Sequence, residues 1–273
     1  MTQEFAVKLD GVTKSFGTRR VLDNITLEIP SGCGFIILGR SGTGKSVTLR
    51  HIIGLVTPDS GRVFVEGADI TELHGTGLAA VRKQIGFLFQ SAALFDSISV
   101  GENVAFPMRR HTRLHDGEIR ERARAKLEAV GLGSDYDKMP ADLSGGMRKR
   151  AGLARAMALD PKVLFYDEPS AGLDPVTSAE IDQLIIDLNK KLGITSVVVT
   201  HEMDSAFRIA DRMVLLDRGK FIVSGTAEEM RQSTDPLVRQ FVDGLTEGPL
   251  TERRKLAGGY EDDLMDDQPQ GAD

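Results

Sequence analysis

A single cysteine, Cys33, in 273 residues rules out an intramolecular disulfide and a cysteine-rich zinc site. Placed against an apolar run, it suits a small core filler. Long hydrophobic stretches are missing as well. Phe35 to Leu38 and Val197 to Val199 fall far below the ~20 residues that a membrane helix needs, so the chain is not expected to cross a bilayer. Met1-Thr2-Gln3-Glu4-Phe5 lacks the basic start and continuous apolar segment of a secretory signal, which makes the cytosol the expected compartment. Charge imbalance is confined to one end. Glu261, Asp262, Asp263, Asp266, Asp267 and Asp273, with no Lys or Arg beyond Lys255, account for the whole formal charge of −6. The remaining body is balanced, which argues against a broad nucleic-acid surface driven by counterion release, and the tail reads as solvated and disordered.

What is present is an ordinary 41% hydrophobic content and a length suited to one large domain or two smaller ones. Short apolar runs at 5–9, 21–29, 34–38, 62–65 and 85–89 read as strands. From Gly101 to about Leu132 the pattern becomes helical, with Ile119, Ala123, Leu127 and Val130 on one face. A second helix is expected just after Ser144 as N-cap. Val163 to Tyr166 is a near-continuous apolar strand of the kind buried on both faces. Ile181, Leu184, Ile185, Leu188 and Leu192 follow a helical period before the strand 196–199. Met213 to Leu216 reads as another strand, joined by a turn at Asp217-Arg218-Gly219-Lys220 to Phe221-Ile222-Val223. Strands alternating with helices predict an α/β fold with a mostly parallel sheet covered on both faces, whose ligands bind at the carboxyl ends of the strands.

At one such end lies Gly39-Arg40-Ser41-Gly42-Thr43-Gly44-Lys45-Ser46, which fits G-x-x-x-x-G-K-[ST] after a buried strand and before a helix. This is a phosphate-binding loop: backbone N–H groups and the helix start point at an anion, Lys45 reaches the phosphates, and Ser46 places its hydroxyl on Mg²⁺. Asp167 and Glu168 follow the strand 163–166 onto the same rim. Asp167 suits the Mg²⁺ shell, and Glu168 suits polarising a water toward a γ-phosphate. Gln90, at another strand end, is placed to touch Mg²⁺ or the water. His201 closes the strand ending at Thr200, where its imidazole can hydrogen-bond the γ-phosphate. Phe16, a lone aromatic beside a turn, can stack on adenine. Ser144, Gly145 and Gly146 form a Gly-rich helix start suited to a second anion site, best explained if it covers the γ-phosphate held by another copy in a head-to-tail dimer.

With these residues assembled, the chain resembles the ATP-binding subunit of ABC transporters over roughly residues 5 to 245. Gly39 to Ser46 matches the Walker A motif, Val163 to Asp167 with Glu168 the Walker B motif, Gln90 the Q-loop and Leu143 to Met147 the signature. Ser170 to Asp174 resembles the D-loop, His201 the switch histidine, and Phe16 takes the adenine-stacking place. The resemblance implies a P-loop NTPase core with antiparallel β and α-helical subdomains, the helical insert at about 97–158, and an extension at 246–273. It also implies ATP and Mg²⁺ as ligands, nucleotide contact by Asp174, and a dimer that closes around two Mg·ATP and opens after hydrolysis. Two departures stand out: Met147 where the family usually has Gln, and Phe16 for the commoner Tyr. Leu143 to Arg150 and Phe89 to Ser97 look like the subgroup that serves MCE-associated lipid transporters, including the maintenance-of-lipid-asymmetry systems of Gram-negative bacteria. The implied partners are a membrane permease and a periplasmic lipid-binding MCE protein, with phospholipid as cargo and the chain peripheral on the inner face of the bacterial inner membrane. A small-solute importer ATPase and a soluble ABC ATPase of DNA repair or translation are the competing readings. The Thr251 to Leu256 segment either docks on the second copy or continues a disordered tail.

Overall fold

The computed structural model describes residues 5–251; the acidic tail and all but the first residue of the Thr251 to Leu256 segment lie outside the described residues. The chain runs through β1 (Phe5–Phe16), β2 (Arg19–Pro30), β3 (Gly34–Leu38), α1 (Lys45–Ile52), β4 (Ser60–Val65), β5 (Ala68–Asp69), α2 (Gly75–Arg82) and β6 (Ile85–Leu88). It continues through α3 (Val100–His111), α4 (Asp116–Ala129), α5 (Gly145–Ala156), β7 (Val163–Asp167), α6 (Pro175–Leu192) and β8 (Thr195–Thr200). The last described elements are α7 (Met203–Ile209), β9 (Arg212–Asp217), β10 (Lys220–Thr226), α8 (Ala227–Gln232) and α9 (Pro236–Val242). A four-stranded antiparallel sheet has the order β2-β1-β4-β5, and a six-stranded sheet the order β10-β9-β3-β8-β7-β6. In the larger sheet only β10 runs antiparallel to its neighbour.

The continuous apolar runs are explained by the period of two along a strand. On β3, Phe35 and Ile37 enter a core shared with the antiparallel sheet and α1, whereas Ile36 and Leu38 enter a core built with the helices. The same division separates Val163 and Phe165 from Leu164 and Tyr166 on β7, and Val197 and Val199 from Val198 on β8. Cys33 packs at the edge of the first of these cores, where burial pushes its thiol up to about 11.

Several elements differ from the sequence reading. The helical stretch after Gly101 is two helices, because at Thr112 the backbone turns extended. There the hydroxyl donates back to the Met108 carbonyl at 2.8 Å and accepts from the Leu114 amide at 3.3 Å. Asp116 and Glu118 then open α4, where acids complement the helix dipole. The run 85–89 is an edge strand that stops at Leu88, with Ile85 and Phe87 half-buried and Phe89 exposed. Leu192 is exposed at the end of α6. Leu250, which offers little anchor area on sequence grounds, is only 6% exposed. The Gln240 side chain on α9 holds it there: its Oε1 accepts from the Leu250 amide at 2.7 Å, and its Nε2 donates to Thr251 Oγ1 at 2.6 Å.

One buried group ties stability to pH. His51 on α1 is 1% exposed, and its Nδ1 lies 2.7 Å from the Val47 carbonyl, so Nδ1 donates. Nε2 has no hydrogen-bond partner among the described residues, and the ring lines a cavity of about 40 Å³ with Val56, Val63, Ile70 and Leu78. Burial lowers its pKa from 6.5; Lys14 adds to this, while the Val47 bond and Asp59 oppose it. The unfolded chain therefore takes up a proton first as pH falls through 6.5, and stability is lost below that value. The expected result is an unfolding midpoint that drops from about pH 7.5 to about pH 5.5 by more in the natural protein than in His51→Gln. Equal drops in thermal melts would refute this assignment.

Candidate active site

Register alone brings the expected residues onto one rim. Leu38 of β3 pairs with Thr200 of β8, and Val199 of β8 pairs with Asp167 of β7. One residue beyond these pairs, Gly39 is level with His201 and Thr200 with Glu168. On the next strand Leu88 pairs with Tyr166, and exposed Gln90 follows two residues beyond the end of that strand.

The loop between β3 and α1 is shaped for close approach. A Cβ on Gly39 would lie 2.5 Å from the Leu216 carbonyl oxygen, so no larger residue fits. Gly44 caps α1 with a left-handed backbone, without a side-chain cap and without an acid in the first turn. The helix start thus keeps N–H groups for an anion. Lys45 is buried, and its Nζ donates to the Gly39 and Arg40 carbonyls at 2.7 and 2.9 Å. An ammonium has three donors, so one remains for a phosphate oxygen. Burial lowers the Lys45 pKa, opposed by the charges of Glu168 and Asp167. Thr43 closes the loop through its hydroxyl to the Arg40 carbonyl at 2.8 Å. Ser41, Gly42 and Ser46 are exposed.

Asp167 has its pKa raised by burial and by Glu168, against the pull of Lys45, Arg50 and Lys149. Two carboxylates held side by side out of water are a setting that a divalent cation relieves. With the Ser46 hydroxyl in the first turn of α1, Asp167 fits Mg²⁺. Glu168 adopts φ 47°, a left-handed backbone uncommon for a residue with a side chain. Its amide donates to the Val199 carbonyl at 2.9 Å. Its Oε2 accepts from Thr200 Oγ1 at 3.1 Å, and its Oε1 lies 2.9 Å from His201 Nδ1. His201 remains largely exposed.

Other expected residues sit apart from this cluster or are occupied within the chain. Phe16 ends β1 with 48% of its surface exposed, and Lys14 Nζ lies 5.6 Å from the ring centroid. Ser144 caps α5, its Oγ accepting from the Met147 amide at 3.3 Å. Gly146 is required for packing, since a Cβ there would meet Thr177 Cγ2 at 2.5 Å. Asp174, expected as a nucleotide contact, is the N-cap of α6. Its carboxylate accepts from the Val176 and Thr177 amides, both at 3.0 Å, and from the Thr177 hydroxyl.

Sequence reasoning gave none of five side chains its own role. Thr200 supports Glu168, as above. Ser170 donates to Glu202 at 3.0 Å next to buried Ser205 and Asp182, whose carboxylate also pairs with exposed Arg208. Lys149, buried, donates to the Glu168 carbonyl at 3.0 Å. Asn103, fully buried on α3, shapes the loop after Gln90: it accepts from the Phe95 amide at 2.7 Å and donates to the carbonyls of Phe95, Ile98 and Ser99. Arg155 of α5 grips the same loop through the carbonyls of Ala92 (2.9 Å) and Ala93 (2.6 Å), both of which have positive φ. A polar residue inside an otherwise apolar helix face was the available signal for Asn103. Motif spacing carries none for the others.

Comparison with known proteins identifies the family. A family model described as ABC transporter matches residues 22–171. The probable ribonucleotide transport ATP-binding protein mkl of Mycobacterium leprae is 45% identical over 250 residues, which cover 92% of this chain and 72% of that protein. The intermembrane phospholipid transport system ATP-binding protein MlaF of Escherichia coli K12 is 42% identical over 267 residues, covering 97% and 99%. Among solved structures, cbiO1 from Clostridium perfringens, part of the ABC transporter complex cbiONQ, superposes with a TM-score of 0.79 at 30% identity, covering 87% of this chain and 95% of that one. The dimeric ATP-binding cassette MJ0796, bound to ADP and Pi in a post-hydrolysis state, gives 0.74 at 34% identity, covering 81% and 98%. The chain belongs to the ABC transporter family, as one of its ATP-hydrolysing subunits.

Proposed function

We propose that this chain powers a phospholipid transporter by hydrolysing ATP in composite sites formed by two copies of itself. The observation that carries the hydrolytic part is the Glu168 carboxylate, held by Thr200 and His201 one residue beyond Asp167. Two of its lone-pair positions are taken by those donors, and the rest can accept from a water. Glu168 orients that water and takes its proton, His201 hydrogen-bonds the γ-phosphate, and Lys45 neutralises developing phosphate charge. Ser46 and Asp167, with Gln90, would hold Mg²⁺, whose charge would stabilise negative charge on the phosphate oxygens. Phe16 stacks on adenine. The free helix start at Ser144 to Gly146 serves the nucleotide of the second copy, and Asp174, through its cap on α6, orders the segment between the two sites.

The membrane partner is a permease that docks where the loop after Gln90 meets α3. Phe95 and Phe106 are each more than two-fifths exposed there, with their rings 5.0 Å apart, and Phe89, just before Gln90, is exposed to a similar degree. Exposed aromatics in one place mark an interaction surface. No described helix is long and apolar enough to cross a membrane, so the transport path belongs to that partner, and this chain sits peripherally on the inner face of the inner membrane. Phospholipid as cargo, and an MCE-type lipid-binding protein in the complex, are supported by the near end-to-end match to MlaF. The relatives named for ribonucleotide transport are slightly more identical over less of their length, so the cargo is the part to measure.

Three outcomes are expected. Glu168→Gln retains ATP binding and loses about 100-fold or more in turnover; unchanged hydrolysis removes Glu168 from its role. Lys45→Ala loses about tenfold or more in nucleotide affinity, since a charge-assisted contact is absent; wild-type affinity in a fluorescent-nucleotide titration contradicts the assignment. Cysteines at Phe95 and Phe106 crosslink to a membrane subunit, and the isolated complex carries phospholipid. Crosslinks confined to the opposite face, or a complex that carries ribonucleotide instead, overturn the reading.

A further inference from the structure

Every polar group of Glu168 has a partner, and the partners come from three directions. Its amide and carboxylate are held by β8 and the residues that follow it, through Val199, Thr200 and His201. Its main-chain carbonyl accepts from the Ala171 amide at 3.2 Å and from Lys149 Nζ at 3.0 Å. Lys149 lies on α5, five residues after the Ser144 cap, and is only 5% exposed. Burying an ammonium is costly, so a lysine kept there needs a function for its charge or its donors. Its aliphatic stem alone would be replaced at no cost by an apolar residue. The acceptor it has found is the carbonyl of a rim residue whose backbone is left-handed despite a side chain, a conformation that persists only when the surroundings fix it.

We propose that Lys149 is a positioning residue that locks the Glu168 backbone, so that the carboxylate stays between Thr200 and His201. Through it the helix that begins at Ser144 is fastened to the carboxylate of its own chain. The inference rests on the reading of Glu168 as the group that orients water. A misplacement of about 1 Å at such a group is enough to slow turnover about 100-fold.

The test uses the full chain, with steady-state ATP hydrolysis and thermal melts in parallel. Lys149→Met keeps length and bulk and removes the donor; Lys149→Gln keeps a donor. Expected are a kcat lowered about 10- to 100-fold in Lys149→Met, with KM for ATP within about twofold of wild type, and recovery of most of kcat in Lys149→Gln. In a Glu168→Gln background, Lys149→Met should have no further effect, since it acts only through Glu168. Wild-type kcat in a folded Lys149→Met, a change in KM alone, Lys149→Gln no faster than Lys149→Met, or an additive loss in the double variant each overturns the proposal. Full turnover in Glu168→Gln alone instead sinks the reading of Glu168, whatever Lys149 does. Should Lys149→Met fail to fold, Lys149→Ser, too short to reach the carbonyl, carries the same expectation.

Discussion

The site exists because three parallel strands end level. β3, β8 and β7 pair in register, and their last residues deliver the phosphate loop, His201 and the Asp167–Glu168 pair to one line. Parallel pairing fixes this only when both faces of each strand are buried, since a slip by one residue would send every side chain to the wrong core. The alternating division of Phe35, Ile36, Ile37 and Leu38 between two cores enforces that register. Packing that has nothing to do with chemistry thus sets the chemistry's geometry.

On that rim, burial and charge work against each other. Lys45 and Lys149 are depressed by desolvation, and Asp167 is raised by it. Each is partly restored by its oppositely charged neighbours. Removal of one member leaves the others as buried charge without compensation, which is costlier than the pair was worth.

The phosphate loop, Asp167, Glu168 and His201 were legible in sequence because each follows an apolar run that can only be a buried strand. The hairpin at Arg218-Gly219 was legible too, since two successive positive φ values favour glycine in the turn. The division of the helical stretch at Thr112 was not, because a hydroxyl that bonds its own backbone leaves no mark on hydrophobic period. Nor was the burial of Leu250, which depends on one amide side chain, Gln240, ten residues earlier. Lys149 and Thr200 were hidden for a further reason. They act on the backbone or carboxylate of Glu168 from other elements, and such pairings are set by tertiary approach, not by spacing along the chain.

The grip of Arg155 on Ala92 and Ala93 has a mechanical side. From Ser144 to Arg155, α5 is a straight rod of about 16 Å that cannot be shortened without breaking its own hydrogen bonds. Near its midpoint it is pinned to Glu168, and at its far end to two alanines in left-handed conformations. Push on the loop that carries those alanines, and the rod must slide, tilt or let go of one of its pins. The loop that leads to the exposed Phe95 and the main chain of Glu168 are thus two attachment points of one helix.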